Sequence, residues 1–498
     1  MDLFQNLILG FEVALSLQNL FYCLIGVSVG TLIGVLPGIG PLATIAMLLP
    51  LTFNVAPVSA LIMLAGIYYG AQYGGSTTAI LVNLPGETSS IVTCIDGYQM
   101  ARQGRAGPAL AIAAYGSFFA GTVGTLLIAL AGPPLADVAL KFGAPEYFSL
   151  MLMGLVAAAV LAQGDMMKSL AMVILGLLLG IVGTDVNTGA QRFSFGVTEL
   201  TDGIGFIVVA VGVFAVGEII SNLGQNEEQR IFDAKVTHLF PTLDDIKRSI
   251  GPILRGTGIG AFFGVLPGTG PAIASFSSYL VEKKLAADPT RFGKGAIEGV
   301  AGPEAANNAD AQCKFIPMLT LGLPASGVMA LMLGALTIQG IQPGPEVMTT
   351  RPELFWGLVA SMWIGNLMLV ILNLPLIGLW VKLLKVPYRL LFPAIMAFSA
   401  IGIYSVNNSS FEIYLTALFG VLGLVWMRLG FSLAPLLLGF VLGPMLEENL
   451  RRAMLQSKGD VSVFFTRPIS LAFIAATILI LIVMVMPAVR RRRGEITE

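Results

Sequence analysis

Residues 30–41 read GTLIGVLPGIGP, and residues 260–271 read GAFFGVLPGTGP. Gly30, Gly34, Val35, Leu36, Pro37, Gly38, Gly40 and Pro41 recur as Gly260, Gly264, Val265, Leu266, Pro267, Gly268, Gly270 and Pro271, an offset of 230 residues in a chain of 498. Gly30 and Gly34 share one helix face, as do Gly260 and Gly264, and such small faces let helices in a membrane approach closely. Pro37 and Pro267 each remove an amide donor and break the hydrogen-bond ladder of a helix. The glycines that follow open backbone conformations closed to other residues, and Pro41 and Pro271 suit the first turn of a fresh helix. Each motif reads as a helix, an irregular turn and a second helix.

The surroundings of both motifs are apolar. There is no charged side chain between Glu12 and Glu87, and Leu24–Pro50 and Val58–Tyr69 are dominated by aliphatic residues and glycine. Further runs cover Ala106–Gly132, Ser169–Gly183, Gly203–Gly217, Leu354–Val381, Ile413–Met427 and Pro468–Val489. The chain is 56% hydrophobic and 11% charged, with a mean hydropathy of +0.84. A soluble chain carries about 25% charged residues, and a bilayer crossing takes roughly 20 apolar ones. The fold class expected is an all-α polytopic membrane protein of about 10–12 spans, with an internal two-fold repeat, inverted by preference, and broken helices or re-entrant hairpins. The net charge of −1 and the lack of a basic stripe exclude nucleic acid.

The expected organisation is a first membrane half over 1–220, a polar, cytoplasmic linker over 221–255, a second half over 256–460, and a final span with a basic tail over 461–498. Arg490, Arg491, Arg492 and Arg493 directly follow the last apolar run, which places the C-terminus in the cytoplasm by the positive-inside rule. Met1–Asn6 lacks a basic residue, so the first apolar run is expected to be retained rather than cleaved. His238 stands alone in the linker and reads as a solvated loop residue. Cys23, Cys94 and Cys313 have no metal-ligand spacing and read as small buried hydrophobes.

Broken backbone inside a membrane is tolerated only where protein or a water-lined cavity surrounds it. Free amides and a helix N-terminus favour an anion, and helix-end carbonyls favour a cation. Gly34, Pro37, Gly38, Gly40 and Pro41, with Gly264, Pro267, Gly268, Gly270 and Pro271, are therefore candidate backbone contributors to a substrate and ion site; the competing reading is a pair of packing kinks. Side-chain candidates follow each motif: Ser76, Thr77, Asn83 and Ser89 in the first half, and Glu304, Asn307, Asn308, Asp310 and Ser326 in the second. Hydroxyls and amides can cradle a carboxylate, while buried carboxylates can hold a coupling cation, Na+ or H+, near the helix breaks. No other cofactor is expected. Glu87 and Lys314 fit either a buried site or an interfacial loop. Two looser echoes extend the repeat: Leu84-Pro85-Gly86 with Leu323-Pro324-Ala325, and Ala144-Pro145-Glu146-Tyr147-Phe148 with Arg351-Pro352-Glu353-Leu354-Phe355.

The paired motifs, the stretch YYGAQYGGSTTAILVNLPGE from Tyr68 and the stretch EGVAGPEAANNADA from Glu298 resemble TctA, the large membrane subunit of the tripartite tricarboxylate transporters, over essentially residues 10–460. The resemblance implies a bacterial inner-membrane permease for organic acids, commonly tricarboxylates such as citrate, driven by an ion gradient. It also implies two partners, a small TctB-like membrane subunit and a periplasmic TctC-like solute-binding protein. One departure is that Leu323-Pro324-Ala325 lacks the glycine of Leu84-Pro85-Gly86, so the two half-sites are not chemically identical. An ion channel or cation antiporter on a similar repeat is the alternative. An enzyme is disfavoured by the lack of H-E-x-x-H or a nucleophile–base pair, and an ATP-driven pump by the lack of a phosphate loop.

Overall fold

The computed structural model describes residues 3–36, 40–162, 165–185, 188–217, 220–221, 239–383 and 388–485. Pro37 and Gly38, His238, much of the expected linker and Arg490–Arg493 lie outside the described residues. In the first half the order is α1 (Leu3–Ala14), α2 (Leu17–Val35), α3 (Pro41–Leu48), α4 (Pro57–Val82), α5 (Ile91–Arg102), α6 (Ala106–Ala139), α7 (Ala144–Leu161), α8 (Met166–Gly180) and α9 (Phe206–Ala210). The second half runs through α10 (Leu243–Val265), α11 (Pro271–Leu285), α12 (Glu298–Cys313), α13 (Phe315–Leu321), α14 (Gly327–Ile338), α15 (Glu346–Thr350) and α16 (Pro352–Asn373). It ends with α17 (Ile377–Leu383), α18 (Tyr388–Asn407), α19 (Ser410–Arg428), α20 (Ala434–Gln456), α21 (Val463–Thr466) and α22 (Pro468–Val485). A two-stranded antiparallel hairpin pairs Gly183 with Arg192.

Five described helices are long and apolar enough to cross a bilayer: α2, α6, α7, α16 and α19. They present outward rows such as Leu126 and Leu130 on α6, Leu367 and Ile371 on α16, and Leu418, Val421 and Val425 on α19. Such rows three or four residues apart form an apolar stripe that suits lipid. The 26-residue α4 is not among these five and is buried from Ser59 to Leu81. Its neighbours are protein, so it tolerates Gln72, Ser76, Thr77 and Thr78 along its length.

The glycines of the repeat set the packing. A Cβ added to Gly26, Gly30 or Gly34 would stand 2.3, 2.5 or 2.3 Å from the carbonyl oxygens of Met63, Ile67 and Ala71. Both series ascend, so α2 and α4 run parallel with their backbones in contact. In the second half Gly256, Gly260 and Gly264 meet the carbonyl oxygens of Gly302, Ala306 and Asp310 at 2.2, 2.1 and 2.7 Å in the same way. Thus α10 and α12 repeat the pair.

The two units point in opposite directions. Along α4 the partners on the second half descend: Tyr68 packs on Phe315, with ring centroids 6.4 Å apart, and Ser76 bonds Glu304. Ile80 and Val300 then share a core cluster. The repeat is therefore inverted, and α4 crosses α12 antiparallel.

One boundary differs from the sequence reading. The helix of the second motif begins at Leu243, inside the segment expected to be linker. Thr242 caps it by accepting from Asp245 N at 3.1 Å while Asp245 reaches back to Thr242 N at 3.1 Å. This reciprocal cap makes the first polar turns helical, although charge alone makes them look like linker.

Two measurements check this architecture. Replacing Gly34 or Gly260 by Val forces a side chain against backbone that cannot rotate away, an overpacking cost of about 1–3 kcal/mol. Gly258 on the same helix has nothing within 4 Å of an added Cβ, so Gly258→Ala is expected to be neutral or stabilising. Thermal unfolding of the purified variants in detergent reads the difference; equal midpoints for Gly260→Val and Gly258→Ala would refute the contact. In a variant with its cysteines replaced, Leu17→Cys and Asp244→Cys are expected to react with an impermeant thiol reagent from opposite sides of the membrane. Reaction from the same side would overturn the inversion.

Candidate functional site

The centre of the molecule is where α4 and α12 face each other. The sequence of α12, EGVAGPEAANNADAQC, has little apolar surface, yet every residue from Gly299 to Cys313 is buried. It is enclosed by α4, α6, α10 and α11. Pro303 lies inside the helix, and its carbonyl accepts from Ser275 Oγ of α11 at 3.2 Å.

The facing surfaces carry two polar rows. On α4, Tyr68, Gln72 and Ser76 recur every fourth residue and share a face. On α12, Glu304, Asn307 and Asp310 recur every third residue, and Lys314 follows Asp310 by one turn. The rows run in opposite directions, so Ser76 meets Glu304 and Tyr68 lies within electrostatic range of Asp310. Glu304 accepts from Ser76 Oγ at 2.5 Å and from Thr93 Oγ1 of α5. Two residues of the first half thus hold one carboxylate of the second. Asn308 turns toward α6, donating to Ser117 Oγ at 2.7 Å. Tyr73 donates to Asn366 Oδ1 at 2.5 Å, which brings in α16.

Several polar atoms in these rows are buried without a protein partner: Gln72 Nε2, both amide atoms of Asn307, and Asp310 Oδ1. Such atoms are costly to leave bare and mark places where a ligand, ion or water completes the site.

The motif turns flank this centre. Gly268 has φ +81°, the left-handed region expected for it, and its N–H donates to Ala325 O at 2.9 Å. The second motif is thereby tied to the Leu323-Pro324-Ala325 turn. A Cβ at Gly268 would also stand 2.5 Å from Ala158 Cα. Gly40 and Gly270 are different: they cap their helices in extended conformations, with φ −79° and −94°, which any residue adopts. The special backbone expected of them is not used. Pro41 and Pro271 open α3 and α11, as their fixed φ suits. At the end of α10, Thr269 Oγ1 bonds the carbonyls of Phe263 at 2.6 Å and Leu266 at 2.8 Å, so these helix-end oxygens already have a donor. Gly34 and Gly264 serve the close helix contacts, and Gly264 sits directly on the Asp310 backbone.

The side-chain candidates separate accordingly. Ser76, Glu304, Asn307, Asn308 and Asp310 lie in or beside the facing rows. Thr77 is buried and lines a small crevice with Tyr73, Ser117 and Asn373. Ser89 donates to Gln72 Oε1 at 3.0 Å, placing the loop after α4 against its polar row. Ser326 caps α14 by accepting from Met329 N at 3.4 Å. Asn83 stands apart. It is exposed and ends α4 in the left-handed conformation at φ 57°, matched by Gly322 at φ 68° after α13.

Sequence reasoning left out Tyr68, Gln72, Thr93 and Ser117 as ligands, and left Lys314 between core and loop. Lys314 is fully buried and paired with Asp310. Its i+4 spacing from an aspartate on an otherwise uncharged stretch was the available signal. Asp96 was also missed: it accepts from the amides of Gly293, Gly295 and Ala296 at 2.8–2.9 Å and so fixes the loop that launches α12. A cavity of about 210 Å³ lies behind the second turn, lined by Leu321, Pro343, Gly344 and Tyr147.

Residues 20–438 match the model of the tripartite tricarboxylate transporter TctA family. The chain belongs to this family. A relative from Agrobacterium vitis, an uncharacterised 52.8 kDa protein in the TAR-I ttuC′ 3′ region, is 60% identical over 496 residues, covering 100% of this chain and 99% of the relative. A second protein of the same organism, from the TAR-II ttuC′ 3′ region, is 59% identical over 237 residues, 48% of this chain and 98% of that protein. No solved structure matches. TctA membership supports a permease role and places both motifs and both polar rows inside the matched region.

The two glycines of the second turn now predict different outcomes. Gly268→Val places a β-branched residue at positive φ against Ala158 and is expected to abolish uptake in reconstituted vesicles. Gly270→Ala, with nothing within 4 Å of its added Cβ, is expected to retain it. Equal uptake by the two variants would show that the turn carries no conformational demand.

Proposed function

We propose that this chain is the permease subunit of a three-component bacterial uptake system, moving organic acids such as tricarboxylates across the inner membrane with a cation, Na+ or H+. The observation that carries this reading is the pair of opposed polar rows, contributed by inverted halves and closed in by apolar helices. Ionisable groups at such depth are costly and mark ion or substrate pathways. Inverted repeats around a central site support alternating access by rocking one half against the other. The bonds from Ser76 and Thr93 to Glu304 span the interface between the halves, where such a motion would act. The partners proposed are the small membrane subunit and the periplasmic solute-binding protein, delivering the carboxylate substrate.

The sidedness follows from charge. The end of the molecule that holds α5, the start of α10 and the start of α12 carries Arg102, Arg105, Lys247, Arg248, Arg291 and Lys294. Several are locked in place: Arg105 to Asp245 at 2.5 Å, and Arg248 to both carboxylate oxygens of Glu298 at 3.0 Å. The positive-inside rule assigns this end to the cytoplasm, with the linker and the C-terminal arginines on the same side.

The test is counterflow of radiolabelled citrate in proteoliposomes containing all three subunits. Wild-type protein is expected to exchange citrate only with a cation present. Ser76→Ala, which removes one hydrogen bond to a carboxylate, is expected to lower the rate about tenfold, and Glu304→Gln to lower it further. Cation flux that persists without any organic acid would favour the channel or antiporter reading instead.

A further inference from the structure

The transport reading leaves Lys314, the ammonium of the central rows, without a task. It closes α12 and opens α13, its side chain is fully buried, and its ammonium pairs with Asp310 Oδ2. The other oxygen, Asp310 Oδ1, has no partner, and Asn307, one turn earlier on the same face, has none at either amide atom. Gln72 Nε2 is a bare donor on the facing row. The unfilled set therefore contains acceptors beside Asp310 and donors beside it. A lone cation would use only the former, and a lone anion only the latter.

Resting on the transport reading above, we propose that Asp310 and Lys314 exchange partners during transport: a substrate carboxylate takes Lys314 while the coupling cation takes Asp310. The physics makes the exchange obligatory. Either charge left alone in the interior is strongly unfavourable, whereas the internal pair, or Asp310 with its cation and Lys314 with one substrate carboxylate, is locally neutral, each further carboxylate of the substrate needing a cation or proton of its own. An anion arriving alone would strand Asp310, and a cation arriving alone would strand Lys314. Coupling then needs no distant conformational signal, because each ligand supplies the charge that the other displaces. Asn307 Oδ1 and Asp310 Oδ1 offer the cation two oxygens, and Gln72 Nε2 and Asn307 Nδ2 offer donors to the substrate. Gly264 holds the Asp310 backbone against the end of α10, which feeds directly into the second motif turn. The exchange is thus placed where a shift of that turn would be felt.

The experiment compares Asp310→Asn, Lys314→Met and the double variant in complete three-component proteoliposomes, with radiolabelled citrate, malate and succinate under Na+ or proton gradients. Thermal midpoints of the purified chain serve as a second readout. Wild type is expected to gain stability from the anion only when the cation is present. Asp310→Asn is expected to bind the anion without regard to the cation, and Lys314→Met to respond to the cation but not the anion. The double variant removes both charges, so it is expected to fold like wild type and yet lose cation-driven uptake about a hundredfold. A double variant with normal, cation-coupled uptake would overturn the exchange while leaving the transport reading intact. Wild-type vesicles that exchange none of the three acids under either gradient would overturn both.

Discussion

Backbone-to-backbone contact between glycine-lined helices is the constraint from which the rest of the structure follows. Where α2 lies on α4 and α10 on α12, there is no room for a side chain between the carbonyl of one helix and the Cα of the other. In a membrane, helix association draws on such packing because lipid tails are as apolar as leucine. Close contact on one side of α4 and of α12 leaves their other sides free to carry polar groups. Those groups cannot face lipid, so the two helices turn them toward each other and toward α5, α6 and α16. The polar interior is a consequence of the glycine contacts rather than a separate design.

The twelve-residue repeat was legible because a close helix contact followed by a broken turn admits few residue types. The inversion was expected by preference, from the broken helices and transporter precedent, while the alignment of the helices after each motif was hidden by the loops. In the first half Gly26 meets Met63, 37 residues on, and in the second Gly256 meets Gly302, 46 residues on. The second return segment is longer, with α11 at 15 residues against 8 for α3. The structural match between α4 and α12 is therefore shifted by nine residues relative to the match between the motifs, and side-chain identity along the two helices is slight. The echo of Leu84-Pro85-Gly86 in Leu323-Pro324-Ala325 already carried the shifted offset. Its meaning becomes clear only with Asn83 and Gly322 both seen ending helices in the left-handed conformation.

Site residues were legible where chemistry is improbable in lipid and illegible where it is ordinary. Glu304 and Asp310 stand out as charges in an apolar chain. Thr93, Ser117 and Gln72 are unremarkable in sequence; only the crossing of α5 and α6 over α12 gives Thr93 and Ser117 their partners, and only the fold sets Gln72 opposite α12. Asn83 shows the opposite error: a polar residue beside the motif, chosen for its amide, whose work is to terminate a helix. Asp96 belongs with it, an acidic side chain whose hydrogen bonds from three loop amides and Tyr279 are fully accounted for by holding that loop in place.

The two halves share a backbone and divide the charge. Counting back by the 239 residues that separate Asn83 from Gly322, the positions of Glu304, Asn307, Asp310 and Lys314 correspond to Ala65, Tyr68, Ala71 and Gly75. Every ionisable carboxylate or ammonium in these rows is thus on the second-half helix, while the first half answers with hydroxyls, an amide and tyrosine rings. Facing charged rows from both halves would have placed like charges across a dry interface, with repulsion that low dielectric magnifies. A single charged helix against a neutral one avoids that, and its own Asp310–Lys314 pair cancels internally. Inversion supplies a crossing symmetric enough to rock, and the sequence difference between the halves decides that only one of them carries the charges a substrate and its cation must satisfy.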